Sequence, residues 1–205
     1  MIVCIVPAAG ESSRFPWFKL LYKYEEKPLI KQTIDNILNS GAVDLVVVVT
    51  GYGREKIRAI LEEYSGEKVI EAYNPSYRLG MSFSVKTGIR RALETMVEPP
   101  EALMINPADA SWIHPGIYSY LVVRHRDSRS LITIAGYQGR PGHPIIISSR
   151  LIEELLSIDE ETAGLKAVVK RHFYDTQIVE TMYPGVVLDL DQLSDLIRIK
   201  NELKK

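Results

Sequence analysis

The sequence predicts an α/β protein, a three-layer α/β/α Rossmann-like arrangement with a mostly parallel central sheet. Three observations carry the prediction. The β-rich segments are apolar throughout, as in Ile2-Val3-Cys4-Ile5-Val6 and Leu45-Val46-Val47-Val48-Val49, which is how strands covered on both faces read. Between them lie segments with apolar residues at helical spacing, and strands alternating with helices favour parallel pairing under two helical layers. No internal repeat, low-complexity stretch or linker interrupts the pattern, so residues 1–205 are expected to form a single domain, within the ~250–300 residues one core supports.

The elements follow in order. Ile2 to Val6 reads as the first buried strand. Leu29, Ile30, Thr33, Ile34, Ile37 and Leu38 recur at helical spacing, and Gly41 closes that helix. Leu45 to Val49 is the second strand, ending in Gly51-Tyr52-Gly53, which reads as a turn. Ile57, Ile60, Leu61 and Tyr64 mark the second helix, and Val69-Ile70 a short strand. Val85, Ile89 and Leu93 mark a third helix, expected to end at Pro99-Pro100. Ala102 to Ile105 is a strand and Ile117 to Val123 lies in the helix behind it. Leu131 to Ala135 and Pro144 to Ile147 are two more strands, with a glycine-rich loop expected between them. Short helices follow near Leu151 to Leu156 and Leu165 to Lys170, then a strand pair at Thr176 to Val179 and Val186 to Leu188, and a last helix from about Leu193.

Composition excludes several classes. Hydrophobic residues make 46% and charged residues 25%, too much core-forming material for a disordered chain. Twenty-five basic and 26 acidic side chains leave a net charge of −1, which argues against a nucleic-acid or anionic-membrane surface. One cysteine, Cys4, cannot form an internal disulfide, and it sits in the first apolar run as a core residue. No apolar run reaches the ~20 residues of a membrane span, and nothing reads as a signal peptide. A soluble cytoplasmic protein is expected.

In open α/β sheets ligands bind beyond the carboxyl ends of the strands, which directs attention to Pro7-Ala8-Ala9-Gly10-Glu11-Ser12-Ser13-Arg14-Phe15-Pro16-Trp17-Phe18-Lys19. Small residues at Ala8, Ala9 and Gly10 let a ligand approach the backbone, and loop N–H groups can cradle phosphate. Arg14 offers a planar fork for phosphate oxygens and Lys19 a mobile point charge. The loop is neither G-x-G-x-x-G nor Walker A. On spacing alone it reads rather as a surface loop with two solvated cations. Between Ala8 and Lys31 the chain carries five cations against three carboxylates, so a local anion site is compatible with the near-neutral total.

Four motifs in series carry a resemblance. Ala8-Ala9-Gly10-x-Ser12-x-Arg14 with Lys19, Asn74-Pro75 through Gly80-Met81-Ser82-Phe83-Ser84, Gly142-His143-Pro144, and Leu188-Asp189-Leu190-Asp191 with Asp195-Leu196 together resemble the molybdenum cofactor cytidylyltransferase group of the nucleotidyltransferase superfamily. The matches run from residue 2 to about 196. Phe15-Pro16 and Phe18 depart from that group's Met-Gly and proline, and Ala108-Asp109-Ala110-Ser111 lacks its glutamine.

The resemblance implies the nucleotide-diphospho-sugar transferase fold and Mg²⁺-dependent transfer of a nucleoside monophosphate to the phosphate of a molybdopterin-type acceptor, with release of pyrophosphate. Lys27-Pro28-Leu29-Ile30-Lys31-Gln32-Thr33 and the Gly-Met-Ser segment favour CTP over GTP. It also implies transient contact with a molybdoenzyme or its chaperone. A sugar- or polyol-phosphate nucleotidyltransferase and a non-catalytic nucleotide-binding homologue are the rival readings.

It further assigns roles. Arg14, Lys19 and Asp109 are expected to be catalytic. Ala8, Ala9, Gly10, Asn74, Gly80 and Ser82 are expected to hold the nucleotide. Asp109 leads as metal ligand, with Asp189 or Asp191 as the second; these two point in opposite directions on extended chain, and Asp189 is preferred because Asp191 suits an N-cap. Ser82 could instead cap its helix, and Asn74 the turn at Pro75. His143 is expected to shape the acceptor pocket, while His114, His125 and His172 are structural. Trp17, Phe18 and Trp112 are candidates to stack on a pterin.

Overall fold

The computed structural model describes residues 1–203. The chain lays down β1 (Ile2–Ala8), β2 (Lys23–Tyr24), β3 (Lys27–Pro28), α1 (Leu29–Asn39), β4 (Leu45–Thr50), α2 (Arg54–Leu61), β5 (Val69–Tyr73), α3 (Met81–Thr95), β6 (Ala102–Ile105), α4 (Pro115–Ser128), β7 (Ile132–Tyr137), β8 (Arg140–Ser148), α5 (Ile152–Ser157), α6 (Gly164–Arg171), β9 (Thr176–Glu180) and α7 (Asp195–Glu202). Seven strands form one sheet in the order β5-β4-β1-β6-β8-β7-β9, and β2-β3 is a separate small hairpin. The β5-β4-β1-β6 half is parallel throughout; β8 runs antiparallel to both β6 and β7, and β9 is parallel to β7.

Alternation along β1 explains the layers. Ile2, Cys4, Val6 and Ala8 point into a core shared with Ile30, Ile34 and Ile37 of α1, Ile57 of α2, and Tyr118 and Leu121 of α4. Val3 and Ile5 point the other way, against Val85 and Ile89 of α3, Leu155 of α5 and Val168 of α6. Both faces of each central strand are therefore dry, which is why these strands read as unbroken apolar runs. A third cluster of Phe15, Leu29, Trp112, Leu188, Leu190 and Ile199 sits under the first loop and clips the 188–199 segment to it.

The structure corrects three expectations about elements. The glycine-rich stretch between β7 and β8 is not a loop: Gln138 (φ 50°) and Gly139 (φ 74°) form a two-residue turn, and β8 starts at Arg140, which pairs with Tyr137. Pro141 is tolerated because β6 pairs only with residues 145–148, so the start of β8 lies at a free edge. Val186 to Leu188 is not a strand; residues Pro184–Val187 form a 3-10 turn. It passes so close to β8 that a Cβ on Gly142 would lie 1.9 Å from the Val186 carbonyl oxygen. Helix α3 ends at Thr95, before Pro99-Pro100.

Candidate active site

The carboxyl ends of β1, β4, β5 and β6 deliver four loops to one edge of the sheet. The first loop leaves β1 at Ala8. Ala8 and Ala9 are buried while Gly10 is exposed with open space beside it. The loop is braced from below: Tyr52 N–H donates to the Ala9 carbonyl (3.1 Å), and a Cβ on Gly51 would strike Ala9 and Tyr77 at 2.7 Å. Gly51-Tyr52-Gly53, read from sequence as a turn, thus also supports the first loop.

The loop cations close onto the far end of the chain. Lys19, largely buried, places its ammonium 2.5 Å from an Asp109 carboxylate oxygen and donates to the Leu190 carbonyl at 2.8 Å. Arg14 is exposed and pairs with Asp191 at 2.9 Å. Lys27 and Lys31 pair instead with Asp35 and Glu63 on the outer surface.

Beyond its ion pair with Lys19, Asp109 is positioned by its loop. Asn106, buried at the end of β6, accepts from the Tyr118 hydroxyl (3.4 Å), and Ala108 N–H donates to the Pro7 carbonyl (3.3 Å). Thr33 Oγ1 donates to the Ala108 carbonyl (2.9 Å), Ser111 Oγ to the Leu29 carbonyl (2.8 Å), and Asn36 Nδ2 to the Ser111 carbonyl (3.0 Å). Thr33, Asn36 and the Leu29 carbonyl of α1 therefore clamp the Asp109 loop. Sequence reading missed this; the signal available was Thr33 and Ser111 standing at otherwise apolar positions.

Asp189 lies in the electrostatic neighbourhood of Asp109. Its side chain borders a large cavity, and desolvation raises its carboxyl pKa; the nearby carboxylates of Asp109 and Asp191 push the same way, while His143 and Lys19 oppose them. Asp191 is drawn the other way, onto Arg14. It is not the N-cap of α7. Ser194 holds that position, and the Asp195 carboxylate accepts the N–H groups of Asp191 and Gln192 at 2.9 and 2.8 Å.

The cavity, about 830 Å³, opens beside this pair. Its walls are mainly apolar, from Met81 and Val85 of α3, Ile134 of β7, Ile145 of β8 and Val169 of α6, with Arg140, Lys166 and Lys170 adding positive charge. His143 also lines it. Burial pushes the His143 imidazole pKa down, so the ring is neutral near pH 7, and its Nδ1 is buried without a hydrogen-bond partner among the described residues.

Three expected ligand residues take particular places. Asn74 is buried, with Nδ2 donating to Ser84 Oγ (3.1 Å) and Oδ1 accepting from Ser76 N–H (3.0 Å), the turn role rather than an outward one. Gly80 is the N-cap residue of α3 with φ 110°, and a Cβ there would collide with Glu160 at 2.2 Å. Ser82 is buried; its hydroxyl caps nothing, and its backbone N–H donates to Glu160 Oε1 at 2.6 Å. Glu160 is a further residue that sequence reading missed, since an acid in a 158–163 loop carries no motif.

The aromatic expectation needs correcting. Trp112 is only 4% exposed and packs edge-on against Tyr24 in the third cluster, away from the cavity. Phe18 packs against Tyr52 and under Gly53. Trp17, at 63% exposed, stands on the surface beside Phe15. None of the three lines the cavity. The other histidines are structural as expected: His114 Nδ1 caps Gly116 N–H, His125 Nδ1 meets Thr133 Oγ1 at 2.8 Å, and His172 Nε2 meets Glu154 at 2.7 Å.

The donor set suits a hard divalent cation. Asp109 and Asp189 repel one another, and the Lys19 ammonium already sits on Asp109 and the Leu190 carbonyl as a positive charge would. No group of three or more His, Cys, Asp or Glu side chains is placed to hold a metal among the described residues. Two carboxylates completed by substrate phosphates and water is the usual Mg²⁺ arrangement, so the residues fit that ion. No helix among the described residues is long and apolar enough to cross a membrane.

Comparison with known proteins agrees with this architecture. Residues 4–177 match the model of the MobA-like NTP transferase domain. The molybdenum cofactor cytidylyltransferase of Escherichia coli (strain K12) is 26% identical over 200 residues, covering 97% of this chain and 95% of that protein. A probable molybdenum cofactor guanylyltransferase of Thermococcus sibiricus is 43% identical over 58 residues, 28% of this chain and 29% of that one. In three dimensions a nucleotidyl transferase from Methanothermobacter superposes with a TM-score of 0.80 at 20% identity, covering 100% of this chain and 98% of the other. The chain belongs to the MobA-like NTP transferase family and is a nucleotidyltransferase.

Proposed function

We propose that this member of the MobA-like NTP transferase family moves CMP from CTP onto the phosphate of a molybdopterin-type acceptor, releasing pyrophosphate, with the whole of residues 1–205 serving as one catalytic domain. The observation that carries the reading is the Lys19–Asp109 ion pair with Asp189 in its field, Asp189 itself lying on the wall of an apolar cavity with a cationic rim. A sugar phosphate would call for walls rich in hydrogen-bonding groups. A ring system with an anionic tail calls for apolar walls and a few cations. The E. coli relative, named a molybdenum cofactor cytidylyltransferase, covers nearly the whole chain and supports the same choice.

The chemistry is an in-line displacement. An acceptor phosphate oxygen attacks the α-phosphorus, the bond to the bridging α–β oxygen breaks, and pyrophosphate leaves with the bonding pair. Both reactants are anions, so positioning and charge neutralisation supply most of the acceleration. The nucleophile needs no general base, because a phosphate monoester has its second pKa at about 6. Ala8, Ala9 and Gly10 offer backbone to the triphosphate, Arg14 exchanges its exposed partner Asp191 for phosphate oxygens, and Lys19 neutralises charge from a fixed position. Gly80 and Ser82 stand between the nucleoside and the acceptor's cavity, which Ser82 lines, and Asn74 supports them from beneath. Mg²⁺, held by Asp109 and Asp189, would supply Lewis-acid stabilisation of the phosphoryl oxygens. Transient contact with a molybdoenzyme or its chaperone would follow from the need to hand on the product, in a cytoplasmic setting.

The test is pyrophosphate release with Mg²⁺, each of the four ribonucleoside triphosphates, and molybdopterin with and without molybdenum. Release with CTP and molybdopterin is the expected result. Release with sugar or polyol phosphates and none with molybdopterin overturns the acceptor, and release with GTP in place of CTP overturns the nucleotide.

A further inference from the structure

One carboxylate on the cavity wall is unused by the chemistry above. Glu160 stands on the loop between α5 and α6, and its position is set from two sides. Its side chain fills the space left by the missing Cβ of Gly80, and its Oε1 accepts the Ser82 N–H at 2.6 Å at the start of α3. The second oxygen has no hydrogen-bond partner among the described residues. No cation pairs with the side chain either, although Arg140, Lys166 and Lys170 line the same cavity.

Glu160 is exposed at the rim of the apolar cavity, and beyond capping the start of α3 its carboxylate is free to receive a ligand. It is not grouped with other acids into a metal site, and the phosphate nucleophile needs no base. Beside an anionic ligand it would be repulsive unless it faces donors. A carboxylate is an acceptor only, and its geometry matches two adjacent N–H groups, the same fork that makes arginine its frequent partner. Neutral ligands with that fork are heterocycles carrying the 2-amino-4-oxopyrimidine edge, with a ring N–H next to an amino group.

We propose that Glu160 is a specificity-determining residue that accepts the paired N–H donors of a 2-amino-4-oxopyrimidine edge. Both a pterin and a guanine present that edge. The cavity walls come from α3, β7, β8 and α6 and include none of the first loop, so the ring is the acceptor's rather than the nucleotide's. The assignment rests on the pterin-acceptor reading above, and it gives that acceptor a defined orientation: ring edge at Glu160, ring faces against Val85 and Ile145, phosphate tail toward Asp189.

The experiment is calorimetric titration of the full chain with pterin and with lumazine, which carries an oxo group where pterin has its amino group, alongside GTP and ITP, the second of which lacks the 2-amino group of the first. Wild type and Glu160→Gln are compared. The glutamine oxygen still accepts the Ser82 N–H, so the fold and the start of α3 are retained, and an unchanged melting temperature verifies it. A site built to receive an N–H discriminates strongly against the analogue lacking it; wild type is expected to prefer pterin to lumazine by at least ~10-fold and Glu160→Gln by less than ~3-fold. A Glu160-dependent preference for GTP over ITP also sustains the edge and moves it to the nucleotide. If neither ratio depends on Glu160, the proposal falls, and a melting-temperature loss in Glu160→Ala alone would leave the residue as a helix cap. Loss of pyrophosphate release with CTP and molybdopterin, with the pterin ratio intact, would overturn the transfer reading and not this one.

Discussion

The two halves of the sheet present themselves to a ligand in opposite ways. The parallel half, β5-β4-β1-β6, ends in loops of small residues pressed together by backbone contacts, with Tyr52 bonded to Ala9 and Ala108 to Pro7. The antiparallel half, β8-β7 with β9, ends in a wide cavity whose walls are side chains. The first half offers N–H groups and charge at close range. The second offers shape. Asp109 comes from the first and Asp189 from the segment that follows the second, so the proposed transfer sits on the seam.

The most damaging change should therefore be at the seam. Asp109→Asn is expected to cost about 10³-fold in kcat, ~4 kcal/mol, with little change in melting temperature; retention of most turnover in a pyrophosphate-release assay would move the chemistry elsewhere. Next come the glycines, which should separate the halves by stability. Gly142→Ala drives a methyl group into the Val186 carbonyl and should destabilise by about 3 kcal/mol in urea titration. Gly10→Ala, with open space around it, should leave stability unchanged. Equal behaviour of the two would erase the contrast drawn here.

A smaller effect distinguishes the neighbouring acids. Asp189→Asn should lower kcat by roughly 10-fold or more, with weakened Mg²⁺ dependence. Asp191→Asn removes an exposed ion pair with Arg14 and should change kcat by less than ~3-fold and stability by under ~1 kcal/mol. Reversal of that order would make Asp191 the second ligand.

The smallest effect is in pH. His125, beneath β7, has its pKa lowered by burial from the usual 6.5. The unfolded chain takes up the proton first, so the stability is fully present above 6.5 and declines as pH falls from there toward the lower folded value, by at most ~1.4 kcal/mol per pH unit. Glu71, a residue of β5 bonded to Arg54, has its carboxyl held below 4.5 mainly by that guanidinium. Its contribution is present above 4.5 and is lost only as pH falls through its depressed folded value. Denaturation curves at pH 7.5, 5.5 and 4 for His125→Gln and Glu71→Gln should therefore separate the halves: the first variant flattens the upper limb, the second the lower. A shared profile would contradict the assignment.

Legibility in the sequence followed the same divide. The parallel strands were readable because a doubly covered strand must be apolar at every position, so Val3, Cys4 and Ile5 declare themselves without context. The start of β8 was not readable, because Gly139-Arg140-Pro141-Gly142 has loop composition and becomes strand only at an edge that β6 does not reach. Val186 to Leu188 misled in the opposite sense: its β-branched run is buried by packing on Gly142, with no ladder to make it a strand. At the edge of the sheet, Arg14, Lys19, Asp109 and Asp189 carry recognisable motifs, and the structure sets Lys19 on Asp109 with Asp189 in the same field, while Arg14 goes to Asp191. Trp112 was misplaced because its loop turns inward at Ser111, and Glu160 was invisible because its position depends on a fold contact across 78 residues with Ser82.

The bonds from Lys19 to the Leu190 carbonyl and from Arg14 to Asp191 span 171 and 177 residues of sequence. During synthesis all seven strands emerge from the ribosome before either partner does, since β9 ends at Glu180. A nascent chain can thus possess its entire sheet while its first loop remains untethered and its carboxylate pair incomplete. In the proposed transfer, competence waits on this late segment.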